Sequence, residues 1–501
     1  MANGKKFILA MDQGTTSSRS IVFDQKGGMA GSAQYEFPQI YPKPGFVEQS
    51  ADDILSTQLK SAKEAIEAAQ LTPSDIAAIG ITNQRETVVA WQRSTGKPVY
   101  NALVWQCRRG AALCEQLTAD GYSDYIRNTT GLLIDSYFSA TKIKWLIDNV
   151  PAVSELLAAN DLCFGTVDSW LIFNLTGGAV HRTDITNASR TMLFDIHRLC
   201  WDEKLLALFR IPESSLPSVL PSSGLFGYTE QSIFGVSIPI TGVAGDQHAA
   251  MFGQCCFEEG VAKSTYGTGC FILMNTGSTP VLSESRLLTT IAWQIDGEVT
   301  YALEGSAFNA GSAIKWLRDE VGIIKTPQEA DLFAEEVSDS AGMYFVPAFT
   351  GLGAPYWDMY ARGALLGITR GANKKHIARA VLESIAMQCV DLFSAMQSDS
   401  KLTLRELRVD GGVSNSVFVM QLQSDLLGIP VLRPQCVETT AIGAAFLAGL
   451  AAGVWSGKEE LRRIWKLSRE FTPAMDAAEA KKLMDGWRKA VGRSMKWEAA
   501  D

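Results

Sequence analysis

Along this chain, short unbroken apolar runs bounded by turn residues alternate with longer stretches whose apolar positions recur every three or four residues. That is the pattern of strands alternating with helices in an α/β protein. Residues 7–11 form one apolar run, ended by Asp12, and predict a buried strand. Residues 20–24 predict a second, and Gln25-Lys26-Gly27-Gly28 a turn between hairpin strands. Ile54, Leu55, Leu59, Ala62 and Ile66 share one face of a helix expected over 52–70, with Ser50 or Asp52 as its cap. Residues 76–82 and 87–92 read as further strands. The interval 196–240 places Pro212, Pro217, Pro221 and Pro239 among serines and glycines and reads as loop-rich.

In the second half, 241–244 is strand-like, 249–252 helical, and 260–274 reads as strand, Gly-Thr-Gly turn, strand. This repeats the order of residues 7–23, about 250 residues on, and predicts a duplicated architecture of two similar lobes. Helices over 377–397 and 421–427, a strand over 406–410 and an Ala-rich helix from Thr440 complete the second lobe. The expected organisation is an N-terminal lobe over 1–253 and a C-terminal lobe over 254–457. A charged, amphipathic helical tail over 458–501, bearing Trp465, Trp487 and Trp497, is expected to pack on the body.

Composition narrows the function classes. With 501 residues, 47% hydrophobic and 20% charged, the chain is a folded protein rather than a disordered one. Its net charge of −9 disfavours nonspecific nucleic-acid binding, which needs a basic field, yet leaves room for a local backbone cradle for phosphate. Nine cysteines contain no C-x-x-C, and four histidines show no metal-ligand spacing. The first apolar run is too short for a signal-peptide core, and the charge-free stretch 439–457 is built of Gly, Ala and Thr, as in a tightly packed buried helix. A cytoplasmic protein without membrane insertion or a nucleic-acid partner is expected.

Five segments could carry chemistry. In Asp12-Gln13-Gly14-Thr15-Thr16-Ser17-Ser18-Arg19 a carboxylate ends a buried strand, which is costly unless it binds something, and a Gly and hydroxyl-rich turn follows. Successive N–H groups there can nest a phosphate, with Asp12 facing its divalent cation and Arg19 neutralising charge; the same segment could equally be an ordinary hairpin turn whose Ser and Thr satisfy the backbone. Lys263-Ser264-Thr265-Tyr266-Gly267-Thr268-Gly269-Cys270-Phe271 repeats this logic on the other lobe, so that phosphates would be gripped from both sides of a cleft. The Gly-Gly of 408–415 would let a helix start flush against an adenine or ribose, although on its own it reads more readily as a plain strand-to-helix turn. Asp246, after the strand Val243-Ala244-Gly245 and beside Gln247, suits the acceptance of a hydroxyl proton in phosphoryl transfer, although an Asp there could equally cap a helix. Arg85-Glu86 offers donors and acceptors for a small polyol, or an ordinary surface ion pair; Trp105 and Phe271 could wall its carbon face, or be core.

Taken together, these segments resemble the FGGY carbohydrate kinase family of the actin-like ATPase superfamily, and within it the members that phosphorylate glycerol. The likeness runs over nearly the whole chain, through 12–19, 41–45, 80–86, 105–109, 187–193, 245–247, 266–271, 347–357 and 409–412. Residues 363–368, with His376-Ile377 and 380–383, look like its C-terminal signature. The resemblance implies two ribonuclease-H-like lobes around a central cleft, with ATP and Mg²⁺ held mainly on the second. It implies phosphate contacts from Thr15, Thr16, Ser17, Arg19 and Thr268, and a nucleotide site lined by Gly311 and Gly412. Lys315 and Ser416 stand there where the family often has Gln and Asn.

By the same resemblance Arg85, Glu86, Tyr137, Asp246 and Gln247 hydrogen-bond glycerol, and Trp105 and Phe271 pack on its carbons. Asp246 is the base for the 3-hydroxyl, and Asp12 helps hold the metal. His248 replaces a frequent Gln, and 224–240 lacks the regulatory histidine of some bacterial relatives. A homodimer or homotetramer is expected. Two other readings stay open on the residues alone: a kinase of a longer polyol or ketopentose, and an idle nucleotide-binding scaffold.

Overall fold

In the computed structural model, which describes residues 6–498, the first apolar run becomes strand β1 (Phe7–Gln13), longer than its apolar core because Asp12 and Gln13 keep pairing. The outermost residues of the expected 1–253 and 458–501 segments lie outside the described residues. Strands β2 (Ser17–Phe23) and β3 (Met29–Glu36) continue antiparallel from β1. On the other side β4 (Ile76–Asn83) runs parallel to β1, and the edge strand β5 (Ser223–Tyr228) is antiparallel to β6 (Pro239–Gly245), which is parallel to β4. The sheet order is β5-β6-β4-β1-β2-β3. Strand β5 lies inside the interval read as loop: its Ser-Gly-Leu-Phe-Gly-Tyr has no clean alternation, and its pairing comes from β6.

The second sheet repeats this plan. Strands β7 (Val261–Tyr266), β8 (Cys270–Gly277), β9 (Leu288–Ile295) and β10 (Glu298–Ala307) are antiparallel neighbours in the order β9-β10-β8-β7. Strands β11 (Glu406–Asp410) and β12 (Val431–Pro434) follow in parallel, and β13 (Leu467–Phe471) closes the edge antiparallel to β12. Read outward from β1 and from β7, strand directions match one for one, with β9 as the addition. The duplication inferred from two Gly-Thr hairpins is therefore a duplication of whole sheets. Strand β13 departs from the all-helical tail. Leu467-Ser468-Arg469-Glu470-Phe471 is polar and mostly exposed, as an unpaired edge tolerates.

Helix α1 (Ala51–Ala68) covers the first sheet, and Ser50 caps it by accepting the Asp53 N–H at 3.1 Å. Helix α2 (Asp246–Gly253) leaves β6, α3 (Gly311–Asp319) follows β10, and the long α4 (Lys374–Ser400) packs on the second sheet. Helices α5 (Val417–Leu427), α6 (Thr439–Ala451) and α7 (Ala477–Ser494) complete that half. The charge-free stretch is the buried helix α6, which crosses onto β4 and β6 of the first lobe and packs against α2. Their approach needs glycine: a Cβ on Gly443 would lie 1.8 Å from the Ala249 carbonyl oxygen. Ala10, Phe252, Leu273, Trp293 and Phe446 form a core shared by the two sheets through these helices. Among the described residues, no helix is long and apolar enough to cross a membrane.

Candidate active site

Parallel strands β1, β4 and β6 deliver their carboxyl ends side by side, where open α/β sheets bind ligands. At those ends stand Asp12, the last residue but one of β1, then Arg85 with Glu86 just past β4, and Asp246 just past β6. Glu86 holds a positive φ of 60°, a backbone conformation that a non-glycine residue adopts at a cost and that a functional turn can justify. Asp246 is the first residue of α2. Gly245 occupies the cap position, and its N–H donates to Thr186 Oγ1 at 2.9 Å.

The structure brings Arg85, Glu86, Tyr137, Asp246 and Gln247 together and adds three charged residues, Arg190, Glu304 and Lys263, to which sequence reasoning assigned no role. Arg85 Nε lies 3.1 Å from Asp246 Oδ1, and Arg85 Nη1 lies 2.5 Å from Glu304 Oε2 on β10 of the other lobe. Arg190 Nε donates to Glu86 Oε1 at 2.6 Å, and its Nη2 to Glu304 Oε1 at 3.0 Å. Lys263 Nζ donates to Gln247 Oε1 and, at 2.9 Å, to Thr265 Oγ1. Glu304 carried a signal: it is the one charge inside the apolar run Tyr301-Ala302-Leu303-Glu304-Gly305, and a buried charge in a strand demands partners.

Exposure separates these groups by task. The side chains of Arg85, Glu86, Arg190 and Glu304 are at most 2% exposed, whereas that of Asp246 is 33% exposed. The arginines and glutamates form a buried, mutually paired frame, and Asp246 at its edge is the most exposed of these acids. Burial would raise the Glu304 carboxyl, but Arg190 and Arg85 outweigh it and hold it at about 2. Burial raises Asp246 above the ordinary carboxylate range, opposed mainly by Arg85, and raises Glu86 against Arg190 and Arg85. Burial also pushes the Tyr137 hydroxyl well up, so it stays a donor.

Trp105 and Tyr137 meet edge to face, ring centroids 5.5 Å apart, which puts an aromatic corner beside the polar frame. Trp105 Nε1 donates to Thr15 Oγ1 at 3.0 Å and so ties this corner to the turn after β1. Phe271 is half-buried on β8, opposite Thr265 and Ser306. His248 is fully buried and burial drives it neutral; its Nε2 pairs with Thr290 Oγ1 at 3.0 Å, a structural link to the second lobe.

The turn after β1 exposes Thr16, with Thr15 and Ser17 half-buried beside it. Amide side chains of Gln39 and Gln49 both donate to the Thr15 carbonyl, at 3.0 and 2.7 Å, and stiffen the turn. Opposite, the tip Gly267-Thr268-Gly269 docks on the start of α3: the Thr268 carbonyl accepts the Ala310 and Ser312 N–H groups at 2.9 and 3.1 Å. Gly311 sits so near that a Cβ there would lie 2.7 Å from the Gly267 carbonyl oxygen and 3.5 Å from Val413. Gly412 opens the turn after β11 with nothing packed over its Cα, and Lys315 is exposed one turn along α3. Ser416 is used otherwise. It is buried and caps α5, its hydroxyl bonding Asp331 at 2.5 Å and accepting the Val419 N–H at 3.1 Å.

Asp12 accepts from Arg19 Nη2 at 2.9 Å, and Arg19 also reaches Glu438 on the loop before α6. Burial raises Asp12 despite Arg19, so a cation beside it would relieve a real cost. Among the described residues, no three of His, Cys, Asp and Glu stand close enough to hold a metal by themselves. Asp12 therefore fits a Mg²⁺ that brings most of its ligands as phosphate oxygens and water, the usual habit of that ion.

The model of the FGGY family of carbohydrate kinases matches this chain in both parts, its N-terminal domain over residues 7–253 and its C-terminal domain over 262–452. A glycerol kinase of Thermoanaerobacter pseudethanolicus is 58% identical over 492 residues, 98% of this chain and 99% of that protein. One of Treponema denticola is 59% identical over 494 residues, covering 98% of this chain and 100% of its own length. Among solved structures, a Plasmodium falciparum glycerol kinase with ADP superposes with a TM-score of 0.93 at 38% identity, covering 97% of this chain and 98% of its own. A Lactobacillus acidophilus xylulose kinase shares the fold, with a TM-score of 0.89 at 23% identity.

Proposed function

Since this chain belongs to the FGGY family of carbohydrate kinases, we infer that it transfers the γ-phosphoryl group of ATP to the 3-hydroxyl of glycerol. The products are sn-glycerol 3-phosphate and ADP. What carries this reading is the full-length identity of 58–59% with glycerol kinases, on a chain whose half-open acid, Asp246, stands at the edge of a buried charged frame.

In this reading Asp246 accepts the proton of the 3-hydroxyl as its oxygen bonds to the γ-phosphorus. The bond from that phosphorus to the bridging oxygen breaks, and the electron pair leaves with ADP. Arg85 and Glu86 bind the remaining hydroxyls and Tyr137 donates to one. Trp105 and Phe271 cover the carbon chain. Thr15, Thr16, Ser17 and Arg19 from one hairpin and Thr268 from the other face the phosphates, so transfer rests on positioning and charge. Gly311, Gly412 and exposed Lys315 line the nucleoside side; Ser416 contributes by capping α5. Bound Mg²⁺ would neutralise phosphate charge, and Asp12 is the residue that would hold it. The donor, ATP, is kept in the cytoplasm, and the reading places the protein there, as a homodimer or homotetramer.

ADP release measured with glycerol, dihydroxyacetone, xylulose and ribulose as acceptors tests the substrate. Glycerol is expected to give the highest kcat/KM; a preference for a ketopentose, or no transfer to any acceptor, overturns the reading.

A further inference from the structure

Lys263 has no part in the chemistry above, yet its side chain is wholly buried at the floor of the site, on β7 of the second lobe. Its ammonium spans the lobes to Gln247 at the start of α2. We propose that Lys263 is a positioning residue that fixes the orientation of the Gln247 amide, so that Gln247 offers glycerol hydrogen-bond donors only.

The argument is one of donors and acceptors. An ammonium group has three N–H donors and no acceptor, so the end of the Gln247 amide facing it must be the oxygen. Two of the three N–H groups are placed, on Gln247 Oε1 and Thr265 Oγ1. The Gln247 Nε2 group is then turned the other way; it makes no hydrogen bond among the described residues, and Gln247 is half-buried rather than sealed. Free in solution, an amide flips between its two faces at little cost. Held by a buried cation, the flipped form would set N–H groups against N–H groups and leave the charge unpaired.

The consequence is a paired grip. Adjacent residues 246 and 247 present opposite functions, a carboxylate that accepts and an amide that donates. A hydroxyl can satisfy both at once, giving its proton to one and receiving a hydrogen bond on its oxygen from the other. A methyl or a carbonyl in its place satisfies at most one. Burial lowers Lys263 from its ordinary value, and the carboxylates of Asp410 and Asp246 oppose that fall.

The inference rests on the glycerol reading, which wild-type turnover tests separately. Its own test is a double-mutant cycle on glycerol affinity, measured by titration calorimetry without nucleotide, on the wild type, Lys263→Met, Gln247→Ala and the pair. Lys263→Met is expected to weaken glycerol binding by about tenfold or more, to leave ATP affinity unchanged, and to change affinity less than about twofold once Gln247 is Ala. Lys263→Arg, also a pure donor, should recover part of the loss. Equal losses in both backgrounds, or a change confined to ATP affinity or kcat, would overturn the proposal. Should Lys263→Met not fold, the isosteric Gln247→Glu serves: it keeps the lysine pair but has no N–H to give, and unchanged glycerol affinity in it would overturn the proposal equally.

Discussion

Arg85 and Glu304 meet between the lobes as a two-pronged ion pair, Nη1 to Oε2 at 2.5 Å and Nη2 to Oε1 at 3.3 Å, which leaves Arg85 Nε free to approach Asp246. The acceptor pocket is thus aimed by a residue of the opposite lobe. Glu304→Gln removes one charge from a buried frame and strands parts of both Arg85 and Arg190, a change that costs about 3–5 kcal/mol in comparable pairs. Denaturant unfolding should show that loss, and glycerol KM should rise because Arg85 is no longer held. A variant within about 1 kcal/mol of wild type would mean the frame contributes no more than a surface pair.

Asp246→Asn keeps the shape and the Arg85 contact but cannot take a proton, so kcat should fall about 10²- to 10⁴-fold while ATP affinity stays near wild type. The pH dependence follows from the raised carboxyl. Turnover needs the ionised form, so activity is lost as pH falls through a value above the ordinary 3.8. Arg85 pulls that value down, so Arg85→Met should move the acid limb to higher pH. An acid limb unmoved in that variant, or wild-type turnover in Asp246→Asn, would take Asp246 out of the base role.

Much of the fold was legible because its signals are local. The strand at residues 7–11, the Gly-Thr turn, the helix capped by Ser50 and the strand over 406–410 each announce themselves within a dozen residues. Repetition of the hairpin then gave the duplicated plan that the strand directions show. Asp12, Arg85, Glu86 and Asp246 were legible for a similar reason, as charges at the ends of apolar strands. Partnerships were not. Glu304 reaches Arg85 across 219 residues and Arg190 across 114, separations that no local pattern reports. Edge strands β5 and β13 were hidden too, since an edge tolerates a polar, irregular sequence and its partner supplies the register.

Lys142 predicts an alkaline limit on glycerol binding. It lies in the first turn of the helix Ser139–Asn149, is fully buried, and donates to the carbonyls of Ser136, Tyr137 and Phe138 at 3.0, 2.5 and 3.0 Å. One cation thereby holds the segment that carries Tyr137. Burial lowers its pKa from the ordinary 10.5 to about 8, with Glu86 and Asp135 among the groups opposing that fall. Between those two values the unfolded chain binds more protons than the folded one, so this group's contribution to stability rises with pH across that window. The neutral amine nevertheless loses its charge-assisted bonds. Glycerol KM is expected to rise above about pH 8 with no matching loss of thermal stability, and the step should vanish in Lys142→Met, whose KM is high throughout. A wild-type KM that stays flat across that range would contradict this.

The packing of α2 on α6 predicts that Gly443 influences turnover from a distance. Alanine is the better helix former by about 1 kcal/mol, so Gly443→Ala on an open helix face would stabilise. Here the added carbon would lie 1.8 Å from the Ala249 carbonyl oxygen and 2.5 Å from its carbon, backbone atoms that no side-chain rotation can clear. Helices α2 and α6 must separate, and α2 carries Asp246 at its first residue while Thr439 at the start of α6 bonds Asp410 at 2.8 Å. Overpacking of this kind costs about 1–3 kcal/mol, and a shift of the base by about 1 Å can cost a hundredfold in rate. The variant should therefore melt earlier and turn over more slowly, with kcat falling further than its stability loss alone accounts for at temperatures where it remains folded. If Gly443→Ala instead melts later and keeps its kcat, the two helices are free to slide, and the placement of Asp246 does not depend on their contact.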